Sequence, residues 1–432
     1  MKTMYRFLAV GALLLSASFM SEAQSIEEAL KEYPAYYCSN HTSYRFKDVA
    51  DTPAPEGYKP FYISHMARHG SRFDSKNKTL ERTLGMLERL DAENLLTKEG
   101  KRLLELERRF YIMQKDNPGM LSFRGREEHA KLGNRMYDRF TDVFTNPERP
   151  NVNAVSTTVI RSITSMSSCT LAMRTKAKKN KHPLHFSMNY GSDPDSILFA
   201  GGDYYGAVRI YDALEDSISI DFGCTDIMSK IVKNRKKAAK LVGEEFNFTD
   251  DLFGTMSFFG PSGIDELNPA LWFTAREMYM HSRHRNARVY CFARQQYDNG
   301  VPTIGVLLKH IIAQADSAIA GNGVCANLRF AHDTQMGVLL SLMGEEGMNG
   351  IYKPDEIDKY FCSGIMIPMA VNMEIVFYKN ESGDVLVKVL HNEEERRLVG
   401  LEPFSGPYYR WDELKKYWET RCSGTVPIEI RK

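Results

Sequence analysis

The segment Arg68-His69-Gly70-Ser71-Arg72 contains the residue types with the clearest chemical potential in the chain. Arginine presents a permanently charged, planar fork that matches the oxygens of a phosphate group. A histidine nitrogen is a competent nucleophile near neutral pH, and neighbouring positive charges favour the unprotonated ring. The segment therefore has the parts for phosphoryl transfer through a phosphohistidine. The alternative is an ordinary solvated loop, and both the strand predicted before the segment and its second arginine argue against it.

A second candidate pair, His332-Asp333, follows another predicted strand far along the chain. A departing alkoxide needs a proton, which a carboxyl group such as that of Asp333 can supply. His332 can donate to a phosphate oxygen. Alone, the pair is equally well explained as the capped start of a helix. Arg161 also follows a predicted strand, so a third guanidinium group is expected to help stabilise the charge on phosphorus.

The elements that must position these residues are predicted from periodicity. Alternating or apolar runs predict strands at 60–67, 152–160, 183–188 and 326–331, and a hairpin from 370–378 and 384–390. Leucine, methionine and phenylalanine residues at helical spacing predict helices around 80–90, 103–110, 132–140 and 303–319. This alternation predicts an α/β fold, a mostly parallel sheet flanked by helices with the site at the carboxyl ends of its strands.

The chain is expected to have four parts. Lys2 and Arg6, the apolar run 8–20 and the small residues around Ala23 predict a signal peptide at 1–23, so export to the periplasm or the extracellular space is expected. The α/β core occupies 24–194 and 301–432. A mainly helical cap insertion is predicted at 195–300. No membrane insertion is expected, because the first apolar run is short and no later one approaches a spanning length.

The two motifs resemble those of the histidine acid phosphatases, the family that includes the phytases. The family pattern is R-H-G-x-R-x-P, and here Phe73 and Asp74 stand in place of x-P. Within the family, the stretches 339–344 and 362–368 are most similar to the multiple inositol polyphosphate phosphatases. That group typically has His-Ala-Glu where this chain has His332-Asp333-Thr334, the form found in phytases and acid phosphatases.

The resemblance implies a role for each matching residue. His69 is expected to be the nucleophile and Asp333 the proton donor. The residues expected to bind the substrate phosphate are Arg68, Arg72, Ser75, Arg161 and His332. The function expected is hydrolysis of phosphomonoesters, with phytate or another inositol polyphosphate as the favoured substrate and no cofactor or metal. Two alternatives remain: a broad acid phosphatase acting on sugar phosphates or nucleotides, and an inactive protein that binds phosphorylated ligands.

Other features narrow the possible partners. The formal net charge is +1 and no nucleic-acid motif is present, so nucleic acid is not an expected partner. His281 and His284 could hold a metal, but a solvated helix face is the simpler explanation. The basic run 174–181 and the basic helix 230–240 would suit a polyphosphorylated substrate if either lined the cleft.

Seven scattered cysteines leave at least one unpaired, and the oligomeric state is not specified by the sequence.

Overall fold

The computed structural model describes residues 26–199, 204–298, 304–423 and 429–430. The predicted signal peptide at residues 1–23 lies outside this part of the chain. Within it, every helix is either too short or too polar to cross a membrane.

The strands closely follow the sequence predictions. In chain order they are β1 (Lys59–Arg68), β2 (Asn151–Ser156), β3 (His185–Tyr190), β4 (Val324–Ala331), β5 (Gly350–Ile351), β6 (Asn372–Lys379), β7 (Val385–His391), β8 (Glu394–Glu395), β9 (Tyr408–Arg410) and β10 (Glu429–Ile430). The second strand ends earlier than predicted. The Thr158 backbone N–H donates to the Asp195 carboxylate (2.9 Å) instead of a neighbouring strand, which frees the chain to turn into the next helix.

Helices fill most of the remaining chain. They are α1 (Ile26–Glu32), α2 (Lys78–Ala92), α3 (Lys98–Gln114), α4 (Phe123–Arg139), α5 (Thr141–Phe144), α6 (Ile160–Lys179), α7 (Ser192–Leu198), α8 (Tyr204–Glu215), α9 (Ile227–Ile231), α10 (Arg235–Val242), α11 (Glu245–Met256), α12 (Phe259–Ser262), α13 (Ala275–Asp298), α14 (Ile304–Ile319), α15 (Asp333–Leu342), α16 (Ile357–Tyr360), α17 (Ser363–Met366) and α18 (Trp411–Arg421).

The main sheet is mixed, so the expectation of a mostly parallel sheet was not exact. Its order is β3-β2-β4-β1-β6-β7-β8, and β9 also pairs with β7. The pairs among β3, β2, β4 and β1 are parallel, whereas β1 with β6 and all pairs beyond it are antiparallel. β6 and β7 form the predicted hairpin, whose two strands must run in opposite directions. Because β6 also lies antiparallel to β1, this half of the sheet is antiparallel throughout.

Two apolar layers enclose the sheet. On one face Ile63 and Leu328 pack with Met136 of α4 and Met166 of α6. On the other face Tyr62 and Met66 belong to a cluster formed with α13, α14, α15 and α18. Covered on both faces, β4 is buried along its whole length, as expected for a central parallel strand.

A third apolar cluster joins helices that are distant in sequence. Leu87 of α2 and Leu103 of α3 pack with Met228 of α9 and Phe253 of α11. The described residues of 192–298 are mainly helical. This helical body includes α2 and α3 as well as the later segment, and the predicted boundary at 195 remains a prediction.

Candidate active site

The ends of two neighbouring parallel strands bring His69 and His332 together. In the β1–β4 register Arg68 pairs with Ala331, so the next residue of each strand emerges at the same edge. The His69 backbone N–H donates to the Ala331 carbonyl at 3.0 Å. The two imidazole rings lie with their centroids 5.5 Å apart. The adjacent ends of β1 and β4 therefore bring two motifs that are distant in sequence into one pocket.

The His69 ring is held so that one nitrogen is available for chemistry. Its Nδ1 lies 2.9 Å from the Gly70 carbonyl oxygen. A carbonyl can only accept, so Nδ1 carries the proton and Nε2 keeps its lone pair. Burial lowers the pKa of His69 well below its usual value, and the charges of Arg68 and Arg161 lower it further. The ring is thus neutral over the ordinary pH range, as a nucleophile must be.

Close backbone packing fixes the loop that carries His69. A Cβ atom at Gly70 would lie 2.4 Å from the Gly125 carbonyl oxygen, and one at Gly125 would lie 2.1 Å from the Ser71 carbonyl oxygen. Both positions therefore need glycine. The Glu128 carboxylate accepts from the Ser71 backbone N–H and hydroxyl, both at 2.7 Å. The first turns of α4 thus clamp the loop.

Arg68 is a buried structural part of the site as well as a cation. Its side chain donates to the carbonyls of Asn40 (2.5 Å) and Ile367 (3.2 Å) and lies 3.0 Å from Asp333 Oδ2. Burial lowers the pKa of Arg68 to about 10, so the group stays charged at neutral pH. These contacts orient one edge of the guanidinium group away from any ligand.

Arg72, from the same loop as His69, and Arg161, from α6, also approach the pocket. Arg161 lies in the first turn of α6 rather than directly at a strand end. Burial lowers the pKa of Arg161 to about 10, and the charge of Arg72 contributes. Arg72 lies over the Phe258 ring, 5.7 Å from its centroid, and burial also lowers its pKa. Two cations that repel each other across a pocket form a site for an anion.

Asp333 is the carboxylate among these cations. It is the first residue of α15. Its Oδ2 accepts from Asn40 Nδ2 at 2.6 Å, and its Oδ1 accepts from the Thr334 backbone N–H at 3.0 Å. Burial by itself would raise its pKa, but Arg68 and Arg72 outweigh burial and bring the pKa to about 2. Asp333 is therefore ionised until another anion offsets those charges.

His332 faces the pocket as a neutral ring. Burial and the charge of Arg161 lower its pKa to about 4. Its Nε2 lies 3.2 Å from the Thr157 hydroxyl, and Phe199 stacks on the ring with centroids 5.4 Å apart. Its Nδ1 is buried with no hydrogen-bond partner among the described residues. When Thr157 donates to Nε2, Nδ1 carries the proton and is free to donate to a ligand.

Ser75 is the most peripheral of the predicted site residues. It is exposed, and its backbone N–H donates to the Asp74 carboxylate at 2.5 Å. Its hydroxyl lies beside Gly119, as does the Arg161 guanidinium group. It therefore stands at the rim of the pocket rather than among the buried groups.

Two residues of the site were missed in the sequence. Asn40 stands in an Asn-x-Thr triplet, which gives no sign of a role in the site, yet its amide donates to Asp333. His41 packs on Phe258, with ring centroids 4.3 Å apart, and burial together with Arg72 and Arg68 lowers its pKa well below the usual value. Both lie in the 3-10 helix Pro34–His41, whose sequence carries no signal of proximity to β4.

His281 and His284, the two histidines that could have held a metal, contact other side chains in the structure. His281 Nδ1 lies 3.2 Å from Asp250, and His284 Nδ1 lies 2.7 Å from the Tyr211 hydroxyl. His281 is buried, so the solvated face expected for this pair was wrong for that residue. No group of three or more potential metal ligands occurs among the described residues.

Three lysines of the two basic stretches are positioned by contacts or distance away from the catalytic pocket. Lys176 lies fifteen residues after Arg161 on α6, which puts it about 22 Å away along the helix at about 1.5 Å per residue. On the helical body, Lys230 donates to the Leu271 carbonyl and Lys233 to Asn94. These side chains stabilise the surface of the helical body.

Comparison with solved structures identifies the fold. The Bifidobacterium longum multiple inositol polyphosphate phosphatase, in complex with inositol hexasulfate, matches with a TM-score of 0.65 and 18% identity, over 90% of this chain and 99% of that chain. The D. castellii phytase matches with a TM-score of 0.68 and 13% identity, over 95% and 90%. The Hafnia alvei phytase in complex with tartrate gives 0.55 and 11%, over 87% and 100%.

The chain therefore has the α/β fold of the histidine acid phosphatases, as the motif resemblance implied. Among its structural neighbours are a multiple inositol polyphosphate phosphatase and phytases. No protein-family model matches the sequence, and no curated protein does either. At these identities the likeness establishes the fold, and the activity has to be argued from the site.

Proposed function

We propose that the protein hydrolyses phosphomonoesters through a phosphohistidine on His69. The observation that carries this proposal is the His69 ring, whose Nδ1 is committed to the Gly70 carbonyl and whose Nε2 is free beside the charged groups of Arg68, Arg72 and Arg161. A bound phosphate would complete the charge balance of this cluster and hold phosphorus near the nucleophile.

The reaction proceeds in two steps. His69 Nε2 attacks phosphorus, the ester P–O bond breaks, and Asp333 gives its proton to the leaving oxygen. Water then attacks the phosphohistidine, ionised Asp333 takes the proton of that water, and inorganic phosphate leaves with Nε2 free again. The bound phosphate also offsets Arg68 and Arg72, which hold the pKa of Asp333 near 2. Substrate binding therefore raises the pKa of the acid that the first step needs.

We further propose that the favoured substrate is phytate or another inositol polyphosphate. The structural likeness to the B. longum enzyme and to the phytases supports this choice, as does the motif resemblance. The residues of the candidate active site described above would bind one phosphate group of such a substrate. Export of the mature chain after residue 23 completes the proposal, and mass analysis of the N-terminus of the secreted protein tests it.

The direct test is release of phosphate from phytate by the pure protein in the presence of EDTA. We expect release that His69→Ala abolishes, with phytate hydrolysed faster than glucose 1-phosphate. A faster rate on glucose 1-phosphate would identify a broad acid phosphatase instead. Binding of phosphorylated ligands without turnover at any pH from 3 to 8 would identify an inactive binding protein. Full activity of His69→Ala would rule out the mechanism.

A further inference from the structure

A second group of polar side chains surrounds a cavity away from the catalytic pocket. The cavity has a volume of about 300 Å³ and lies between the sheet and helices α7 and α14. Side chains along β4 alternate between the two faces of the sheet. Leu328 and Phe330 face the layer of α6, whereas Asn327 and Arg329 belong to the lining of the cavity.

Arg329 is the charged group of this cavity. Its side chain is 1% exposed. Nη1 donates to the Ser64 hydroxyl at 2.9 Å and to the His65 carbonyl at 3.4 Å. The Tyr62 hydroxyl is a polar neighbour of Arg329 and partly offsets the lowering of its pKa by burial. Nε and Nη2 nevertheless make no well-formed hydrogen bond, and no carboxylate in the described part of the chain pairs with Arg329. A buried guanidinium group without an anion is strongly disfavoured unless something else supplies the charge.

His310 adds a second donor to the same lining. Burial and the charge of Arg329 lower its pKa to about 4, so the ring is neutral. Its Nε2 lies 3.3 Å from the Gln314 side-chain amide, and its Nδ1 is buried without a partner. When the amide donates to Nε2, Nδ1 carries the proton. The lining thus combines unpartnered N–H groups from a strand and from a helix.

Two asparagines, Asn153 and Asn327, extend the polar lining of the cavity across the sheet. Asn153 Nδ2 donates to Asn327 Oδ1 at 3.2 Å, and Asn327 Nδ2 donates to the Tyr62 hydroxyl at 2.7 Å. These bonds hold both amides in place at the floor of the cavity. The exposed rim includes Asp193, whose negative charge disfavours a polyanion at the entrance.

We propose that this cavity is a second binding site, for a small oxyanion of low charge that pairs with Arg329. The forked guanidinium group matches two oxygens of a phosphate or a carboxylate. The volume, in the lower range of small-molecule pockets, suits a compact ligand with some water. The site is separate from the catalytic pocket, which lies beyond the carboxyl ends of the same strands, and it does not depend on the proposed hydrolysis.

The test measures the Tm of the full chain as phosphate, acetate or chloride is added at constant ionic strength. The parent protein for this test carries Arg72→Ala and Arg161→Ala, which weaken anion binding in the catalytic pocket. We expect phosphate or acetate, but not chloride, to raise its Tm, because an anion that binds only the folded chain stabilises it. A response to phosphate alone, to acetate alone or to both identifies which oxyanion the site takes.

The deciding variant is Arg329→Gln, with Arg149→Gln as its matched control. The Arg149 guanidinium group donates to the Ala318 carbonyl at 2.8 Å and is not part of the cavity lining. We expect the rise in Tm to disappear in Arg329→Gln and to persist in Arg149→Gln. An equal rise in both variants, or no rise in the parent protein, would overturn the proposal.

A second variant, Gln314→Glu, tests the proposal if Arg329→Gln does not fold. Gln314 is half-exposed on α14, so Gln314→Glu places a carboxylate in the lining with little disturbance of the helix. We expect this variant to have a higher Tm than its parent without added anion, and a smaller response to phosphate and acetate. An unchanged Tm with an unchanged response would contradict a site built around Arg329.

Discussion

In the proposed mechanism, Asp333 is both a structural anion and the proton donor. Asp333 pairs with Arg68 and accepts a hydrogen bond from Asn40. In the proposal, a substrate phosphate that pairs with the arginines offsets their charge and so raises the pKa of Asp333. The proposal therefore has Asp333 ionised by the arginines alone and able to take up a proton once a substrate phosphate offsets their charge.

The low pKa of Asp333 also makes a prediction about stability. Its folded pKa of about 2 lies below the ordinary value of 3.8, so the stabilisation is present above about pH 3.8 and is lost as pH falls through about 2. We expect Asp333→Asn to lower the free energy of unfolding at pH 6, and the difference from wild type to shrink between pH 4 and pH 2. Urea denaturation at each pH measures it, and a difference independent of pH would contradict the ion pair.

Arg161 is predicted to act through its forked geometry as well as its charge. Arg161→Lys keeps the charge but loses the bidentate contact. We expect kcat/KM for phosphomonoester hydrolysis to fall by about 10²-fold, in the range found when one oxyanion donor is removed. Arg174→Lys, on the exposed part of the same helix, is the matched control and should leave the rate unchanged. Similar losses in both variants would place the effect in the helix rather than in the site.

The contact between the His69 loop and α4 determines how the His69 side chain is held. Gly70 and Gly125 meet backbone to backbone, and Glu128 secures Ser71. Side chains from β1, β4 and α6 can then meet around one point, because the elements that carry them are anchored to one another.

We predict that Gly70→Ala disrupts this contact. The new Cβ would stand 2.4 Å from a backbone oxygen that cannot move alone, so overpacking should cost about 1–3 kcal/mol of stability and misplace His69. Denaturant unfolding and kcat/KM check both effects. Gly85→Ala in α2 is the control, since a Cβ there meets nothing within 4 Å, and we expect it to be neutral or slightly stabilising. Equal behaviour of the two variants would contradict the packing argument.

Sequence reasoning located the elements that carry local signals. The strand before His69 and the strand before His332 were predicted within two residues, because apolar runs that end at polar motifs mark both. The sheet's mixed character was missed, because nothing in β1 indicates that β6 runs antiparallel beside it. Asn40 was missed for a related reason: its contact with Asp333 joins residues that only the tertiary fold brings together.

At the scale of the whole molecule, burial governs the cysteines. Some of the seven would be expected to pair in an oxidising compartment, but all seven lie in the described part of the chain as buried thiols and none of them forms a disulfide. The core, rather than covalent cross-links, therefore holds the described chain together. The chain shares its fold with phosphatases at under 20% sequence identity. Such a shared fold is consistent with a scaffold that is stabilised by packing of the core.

We predict that the native protein hides its thiols. Titration with a thiol reagent should detect close to none in the folded protein and seven after denaturation in guanidinium chloride. Burial also raises the pKa of Cys38 and Cys169 to about 12, which further suppresses thiolate formation. Fewer than seven thiols in the denatured, unreduced protein would reveal disulfides and contradict this arrangement.

The central claim is that His69 carries the phosphoryl group during turnover. The most direct measurement is rapid quenching of the enzyme with a ³²P-labelled phosphomonoester, followed by peptide mapping. We expect label that is stable to base and labile to acid, on the peptide containing His69, and no label in His69→Ala. Turnover without a labelled intermediate, or label on a different residue, would contradict the account.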